Sequence, residues 1–103
     1  MASKKEYLAF IMEQIASPDV TYRAMMGEYI LYYRGKVVGG IYDDRLLVKP
    51  TTGARRLMPD AEEALPYEGA KKMLLVSELE EAEFLKDLLK TISEELPENA
   101  KNK

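Results

Sequence analysis

From Val20 to Lys49 the apolar positions repeat every second residue, and β-branched and aromatic residues dominate. A helix repeats its faces about every 3.6 residues, so this stretch is read as extended chain. Three breaks divide it, at Gly27-Glu28, Arg34-Gly35 and Asp43-Asp44. Glycine adopts positive φ without a steric penalty, and aspartate tolerates that region better than most residues. The breaks therefore predict tight turns between four strands: Val20–Met26, Tyr29–Tyr33, Lys36–Tyr42 and Arg45–Lys49. Pairing across Asp43-Asp44 sets Ile41 opposite Leu46 and Gly39 opposite Val48, one apolar face of a hairpin. The other face carries Tyr42, Arg45, Leu47 and Lys49. A two-residue turn at Arg34-Gly35 sets Tyr29 across from Gly40, where a ring covers bare backbone. Both faces of the sheet then carry apolar side chains, which calls either for helices on both or for a subunit interface on one.

The flanks are helical. Ser3 followed by Glu6 has capping-box spacing. Leu8, Ile11, Met12 and Ile15 form one helical stripe, and Ser17-Pro18 ends it. Beyond Pro50, Thr51 or Thr52 caps a short helix through Arg55, Arg56 and Leu57 that ends before Pro59. Met58–Gly69 reads as mostly loop and Lys72–Val76 as a fifth strand. A last helix starts near Glu80, carries Ala82, Leu85, Leu89, Ile92 and Leu96 at helical spacing, and stops at Pro97. The predicted fold is α+β and two-layered: an antiparallel sheet of about five strands with helices at both ends, in the order α-β-β-β-β-α-β-α. Residues 1–97 make one domain, since a chain of 103 residues holds a single core. Residues 98–103 are a polar tail, expected to fray.

Chemistry is constrained by what is missing. The chain has no cysteine and no histidine, which removes thiolate nucleophiles, disulfides, the usual general base and most transition-metal sites. No Gly-x-Ser-x-Gly or Ser-x-x-Lys pattern occurs, and Ser3, Ser17 and Ser77 lie near helix boundaries where capping explains them. Neither phosphate-cradling glycine pattern is present. The reading is therefore non-enzymatic, without catalytic residues, cofactor or metal. A formal charge of −3 exerts no general pull on phosphate backbones or anionic membranes. No apolar run reaches the ~20 residues of a membrane helix, and the N-terminus lacks a signal-peptide core, so a cytoplasmic protein without membrane attachment is expected.

Several clusters invite a sharper and a plainer reading. Glu78, Glu80, Glu81 and Glu83 suggest a hard-cation site, but carboxylates near a helix start are favoured by the helix dipole alone. Thr51-Thr52-Gly53 ahead of Arg55 and Arg56 suggests an anion site; an ordinary cap with solvated arginines is preferred. Asp43-Asp44-Arg45 is better read as an acidic turn than as an acid–base cluster. Met25-Met26 is assigned to gap-filling in the core. Tyr29, Tyr32, Tyr33 and Tyr42, with Arg23, Arg34, Arg45 and Lys49 nearby, could stack and neutralise single-stranded nucleic acid, though sheet packing or subunit contact accounts for them more simply.

The run Val20-Thr21-Tyr22-Arg23-Ala24-Met25-Met26-Gly27-Glu28-Tyr29, then Leu31-Tyr32, Gly35 and Ile41-Tyr42-Asp43-Asp44-Arg45-Leu46, resembles the N-terminal domain of TfoX/Sxy proteins. Tyr67-Glu68-Gly69-Ala70-Lys71-Lys72-Met73 and the leucine-rich last helix fit the same pattern. The most specific parts are the spacing of Arg23, Met25, Gly27 and Tyr29, and Asp43 to Leu46. The resemblance implies a two-layer, secretion-chaperone-like α+β domain. It also implies a link to competence-gene regulation, in which named members act as co-activators with a cyclic-AMP receptor protein. Full-length members carry a second, helical domain, so this sequence is expected to be a free-standing copy. The family offers no catalytic residues to carry over.

The expected role is an interaction module whose partner is another protein, a second copy of the chain included, with a transcription or competence adaptor as the specific form. Nucleic-acid binding through a Tyr/Arg/Lys face is the alternative, and a small-molecule pocket around Arg23, Met25 and Tyr29 is a third. The candidate binding or interface residues are Arg23, Met25, Gly27, Tyr29, Tyr42, Arg45, Lys49, Arg55 and Arg56.

Overall fold

The computed structural model describes residues 4–97. Ser3 and the 98–103 tail lie outside the described residues. Helix α1 (Lys5–Ile15) has Lys4 as its N-cap, without a side-chain cap bond. Four strands follow: β1 (Val20–Met25), β2 (Glu28–Tyr33), β3 (Lys36–Ile41) and β4 (Leu46–Val48). Each of their three turns has both central residues at positive φ: Met26 and Gly27 at 52° and 86°, Arg34 and Gly35 at 52° and 83°, Asp43 and Asp44 at 54° and 57°. That geometry matches the right-handed twist of paired strands. The first turn is thus Met26-Gly27, one residue earlier than expected, and Glu28 joins its strand.

After β4 come the short helix α2 (Thr52–Leu57), strand β5 (Glu63–Ala64), strand β6 (Met73–Leu75) and helix α3 (Ala82–Glu95). The sheet has six antiparallel strands in the order β1-β2-β3-β4-β6-β5. The sixth, β5, falls in the stretch expected to be loop. At two residues it has no periodicity to read, and its pairing with β6 is a tertiary event.

One register differs from expectation, with consequences for both faces. Ile41 pairs with Leu46 and Gly39 with Val48 as anticipated. Across Arg34-Gly35, however, Tyr32 pairs with Val37 while Leu31 pairs with Gly39, so Val38 is an extra residue in β3. This β-bulge moves Tyr29 from Gly40 to Ile41. Side chains alternate strictly along a strand, so without it Ile41 would point away from the helices. With it, Val38 and Ile41 both enter the core, each fully buried.

The three helices of the described residues lie on one face. α3 contacts α1, α2, β2 and β3. Leu8, Ile11 and Ile15 of α1 and Leu85, Leu88, Leu89 and Ile92 of α3 close over Leu31, Val38, Ile41, Leu46, Val48 and Leu74. Full burial of such a side chain is worth about 1.5–3 kcal/mol, so this layer dominates stability. Lys36 donates from Nζ to the Ser93 and Leu96 carbonyls, both at 3.1 Å, placing a cation where the end of α3 needs one. Among the described residues no helix is long and apolar enough to cross a membrane.

Candidate functional site: the helix-free face of the sheet

Residues that alternate with the core positions project from the opposite face, which no helix covers among the described residues. Tyr32, Val37, Tyr42 and Leu47 are buried there and lie outside the main core cluster. Tyr42 lies over Gly40, where an added Cβ would sit 2.7 Å from its ring. A ring does cover the bare backbone, but it is Tyr42 and not Tyr29, because the bulge turns Tyr29 to the helices. Burial pushes the Tyr42 hydroxyl pKa up, and Tyr67, Glu28 and Tyr32 add to this. Tyr67 packs beside it, ring centres 6.3 Å apart.

Arg45 holds the crossing chain in place. Its Nε donates to the Tyr42 carbonyl and its Nη2 to the Leu65 carbonyl, both at 3.1 Å. Between the sheet and the segment from Pro66 to Met73 runs an open groove of about 720 Å³. Val37, Tyr42, Pro50, Pro66, Met73 and Leu96 supply apolar wall, and Lys49, Lys71 and Lys72 supply charge. Among the described residues no carboxylate lines it. Lys49 is half-buried, its ammonium has no ion pair among the described residues, and burial lowers its pKa.

The remaining expected site residues do not converge. Arg23 and Met25 pair with Ile30 and Glu28 and project from the helix-free face, whereas Tyr29 projects to the helix side against Tyr22, ring centres 5.9 Å apart. A pocket around Arg23, Met25 and Tyr29 is therefore not assembled. Gly27 is at the hairpin tip. Met25 and Met26 are 47% and 97% exposed, which overturns their assignment to the core. Met25 points away from the helices and Met26 is the first residue of the turn, so neither side chain reaches the core. Tyr29 and Tyr33 face the helices while Tyr32 and Tyr42 face away, and all four are buried, so they do not form one stacking surface. Arg34 is occupied with Asp19 at 3.2 Å.

At α2 the plainer reading holds for the cap, since Thr51 Oγ1 accepts from the Ala54 N–H at 3.2 Å. The arginines are not simply solvated. Arg55 pairs with Glu63 at 3.1 Å and Arg56 with Glu95 at 4.0 Å. The anion at this helix start is the chain's own Glu95, whose Oε1 accepts from the Gly53 N–H at 2.9 Å. That bond, then the Thr51 hydroxyl and Arg56, holds the Glu95 carboxyl below the usual range. A Cβ on Gly53 would press on the Thr91 methyl and this carboxylate, so a side chain there would displace the Glu95 anchor. The acidic turn is structural: Asp44 Oδ1 accepts from the Lys4 N–H at 2.8 Å, and Asp43 N–H donates to Glu28 at 3.1 Å. Among the described residues no group of three or more acidic side chains could hold a metal ion, the glutamates before α3 included.

Of the expected residues, Tyr42 and Lys49 line the groove and Arg45 braces it. Lys71, Lys72, Tyr67 and Met73 were not singled out as site residues. Two adjacent lysines before an apolar strand are the only local signal, and the meander they face lies more than twenty positions away in sequence.

No protein-family model matches the chain, and no solved structure matches it. An uncharacterized 12.7 kDa protein in the trpE 5′ region of Spirochaeta aurantia is 40% identical over 100 residues, covering 94% of this chain and 86% of the relative. At that identity and coverage, this chain belongs to the same family as the 12.7 kDa Spirochaeta aurantia protein.

Proposed function

We propose that the protein is a non-enzymatic interaction module of the cytoplasm that receives an acidic, apolar segment of another protein in the groove beside Tyr42. The observation that carries this reading is the lining: three lysines and, among the described residues, no carboxylate over an apolar wall, in a chain whose net charge is −3. Half-buried Lys49 without a counter-charge is destabilising alone and is relieved by a carboxylate brought by a partner. Complementary charge of this kind speeds encounter and fixes register, while apolar contact supplies affinity. The likeness to TfoX/Sxy supports the narrower form, an adaptor in transcription or competence regulation.

Selection of displayed peptides on the immobilised protein tests the groove. The expected result is enrichment of sequences joining Asp or Glu to apolar residues, lost on a Lys49→Glu/Lys72→Glu variant that keeps its fold. Equal enrichment on both proteins would sink the proposal. Nucleic-acid binding is the competing outcome. It would appear as retention of single-stranded RNA or DNA that falls steeply with salt. The dispersal of the tyrosines over two faces and the pairing of Arg34, Arg55 and Arg56 with carboxylates weigh against it.

A further inference from the structure

The sheet has two edges, and they are finished differently. At one edge β5 is only two residues long, and one of the two, Glu63, is charged. Short strands, charge and proline are the usual means of blocking edge-to-edge pairing. At the other edge β1 has six residues, five of them exposed, with Arg23 its only charge and neither lysine nor proline within it. Its pairing with β2 runs without a register shift, so no bulge turns it aside.

The free hydrogen-bonding groups of β1 follow from its turn. A two-residue turn makes Met25 and Glu28 a hydrogen-bonded pair, and such pairs alternate along an antiparallel ladder. Thr21, Arg23 and Met25 therefore spend their backbone groups on β2, as Asp19 does in accepting from the Arg34 N–H at 2.7 Å. Tyr22 and Ala24 turn theirs outward. The Val20 N–H is taken by the Ser17 carbonyl, leaving the Val20 carbonyl for an outside donor.

We infer that β1 is a homodimerisation edge, pairing antiparallel with β1 of a second copy and centred on Tyr22. In that register Tyr22 exchanges both backbone bonds with the partner's Tyr22, and each Ala24 N–H reaches the opposite Val20 carbonyl. Arg23 falls opposite Thr21, so no like charges meet. Moving the centre to Arg23 opposes two arginines, and moving it to Thr21 sets Ala24 against Pro18, which has no N–H. The two Tyr22 rings, each already packed edge-on to Tyr29, meet on the helix side of a continuous sheet. The strand is thus complementary to itself in one register, which favours a second copy over a foreign strand. The inference is independent of the groove, which β1 does not line.

Sedimentation of the whole protein over a concentration series, combined with single-cysteine crosslinking, tests it. The natural sequence has no cysteine, so one introduced thiol reports one position. Directly paired residues lie about 5.5 Å apart between Cα atoms, within disulfide range, whereas diagonal neighbours lie about 7–8 Å apart. The wild type is expected to dimerise, and oxidised Tyr22→Cys to form a covalent dimer faster than Arg23→Cys. Ala24→Pro removes only an outward N–H and should leave the monomer folded while weakening dimerisation about tenfold or more. A wild type that stays monomeric at every soluble concentration, crosslinking of Arg23→Cys as fast as Tyr22→Cys, or a folded Ala24→Pro variant that dimerises undiminished would each overturn the proposal.

Discussion

The two faces of the sheet use alternate residues of the same strands, yet they are built to different standards. On the helix side aliphatic side chains from three helices and five strands interlock, and charged groups stay at the margins, as Lys36 does at the end of α3. On the other side Leu47 and Val37 are buried among Tyr32 and Tyr42 on the same face, and Arg45 ties the neighbouring loop down through two carbonyls. The first face is closed by regular elements packed on one another. The second is closed by side chains and irregular chain, and it keeps a half-buried lysine. A surface finished this way costs stability and leaves room for something else to bind.

The largest test of this difference is cavity formation. Ile92→Ala, under the helices, should cost about 2–5 kcal/mol in denaturant unfolding. Leu47→Ala should fall toward the lower end of that range, because Tyr42 and the crossing loop can settle into the space. Equal losses would break the comparison.

Overpacking comes next. Gly40→Val forces a Cβ against the Tyr42 ring and the Tyr29 carbonyl, both at 2.7 Å, and should cost about 1–3 kcal/mol. Adding Tyr42→Ala should recover part of the loss, since only the ring is then removed. No recovery in the double variant would place the strain in the backbone.

Acid should weaken the helix side through Glu95. The Glu95 carboxyl is held low by the Gly53 N–H, so its contribution is complete above the ordinary glutamate value and disappears as pH falls through its folded-state pKa. Unfolding midpoints measured from neutral to strongly acidic pH should show a shallower acid limb for Glu95→Gln than for wild type. Identical limbs would mean that the α2 anchor is energetically silent.

The smallest effect belongs to the open face. Burial lowers the Lys49 pKa, so the unfolded chain holds that proton to higher pH and wild-type stability rises through the alkaline window. Lys49→Met should raise stability by up to about 0.5 kcal/mol near neutral pH, with the gain shrinking as pH rises. A loss instead would show that the ammonium is already satisfied.

Much of the fold was legible because its signals are local. The stripe from Leu8 to Ile15, the Thr51 cap and the hairpin joining Ile41 to Leu46 each involve neighbours in sequence. Strand β5 was not legible, because two residues carry no period. Met25 and Met26 run against the rule that an apolar residue in a strand is usually core, because Met25 projects from the helix-free face and Met26 sits in the turn. Tyr42 and Lys49 were read correctly as facing away from the core, but the lysines opposite them belong to a segment whose position depends on β6 pairing with β4.

Periodicity and turn chemistry alone determined that this chain makes a meander flanked by amphipathic helices, and the absence of histidine and cysteine determined which chemistries it lacks. Only the tertiary structure decided the parity of the sheet. The Arg34-Gly35 and Asp43-Asp44 turns each set a register, and the two are incompatible along one strand unless a residue is skipped. Burying Ile41 under α3 is worth more than one unbroken ladder, so Val38 bulges. That choice turned Tyr29 toward the helices and left Tyr42 to cover Gly40 on the face that stays open.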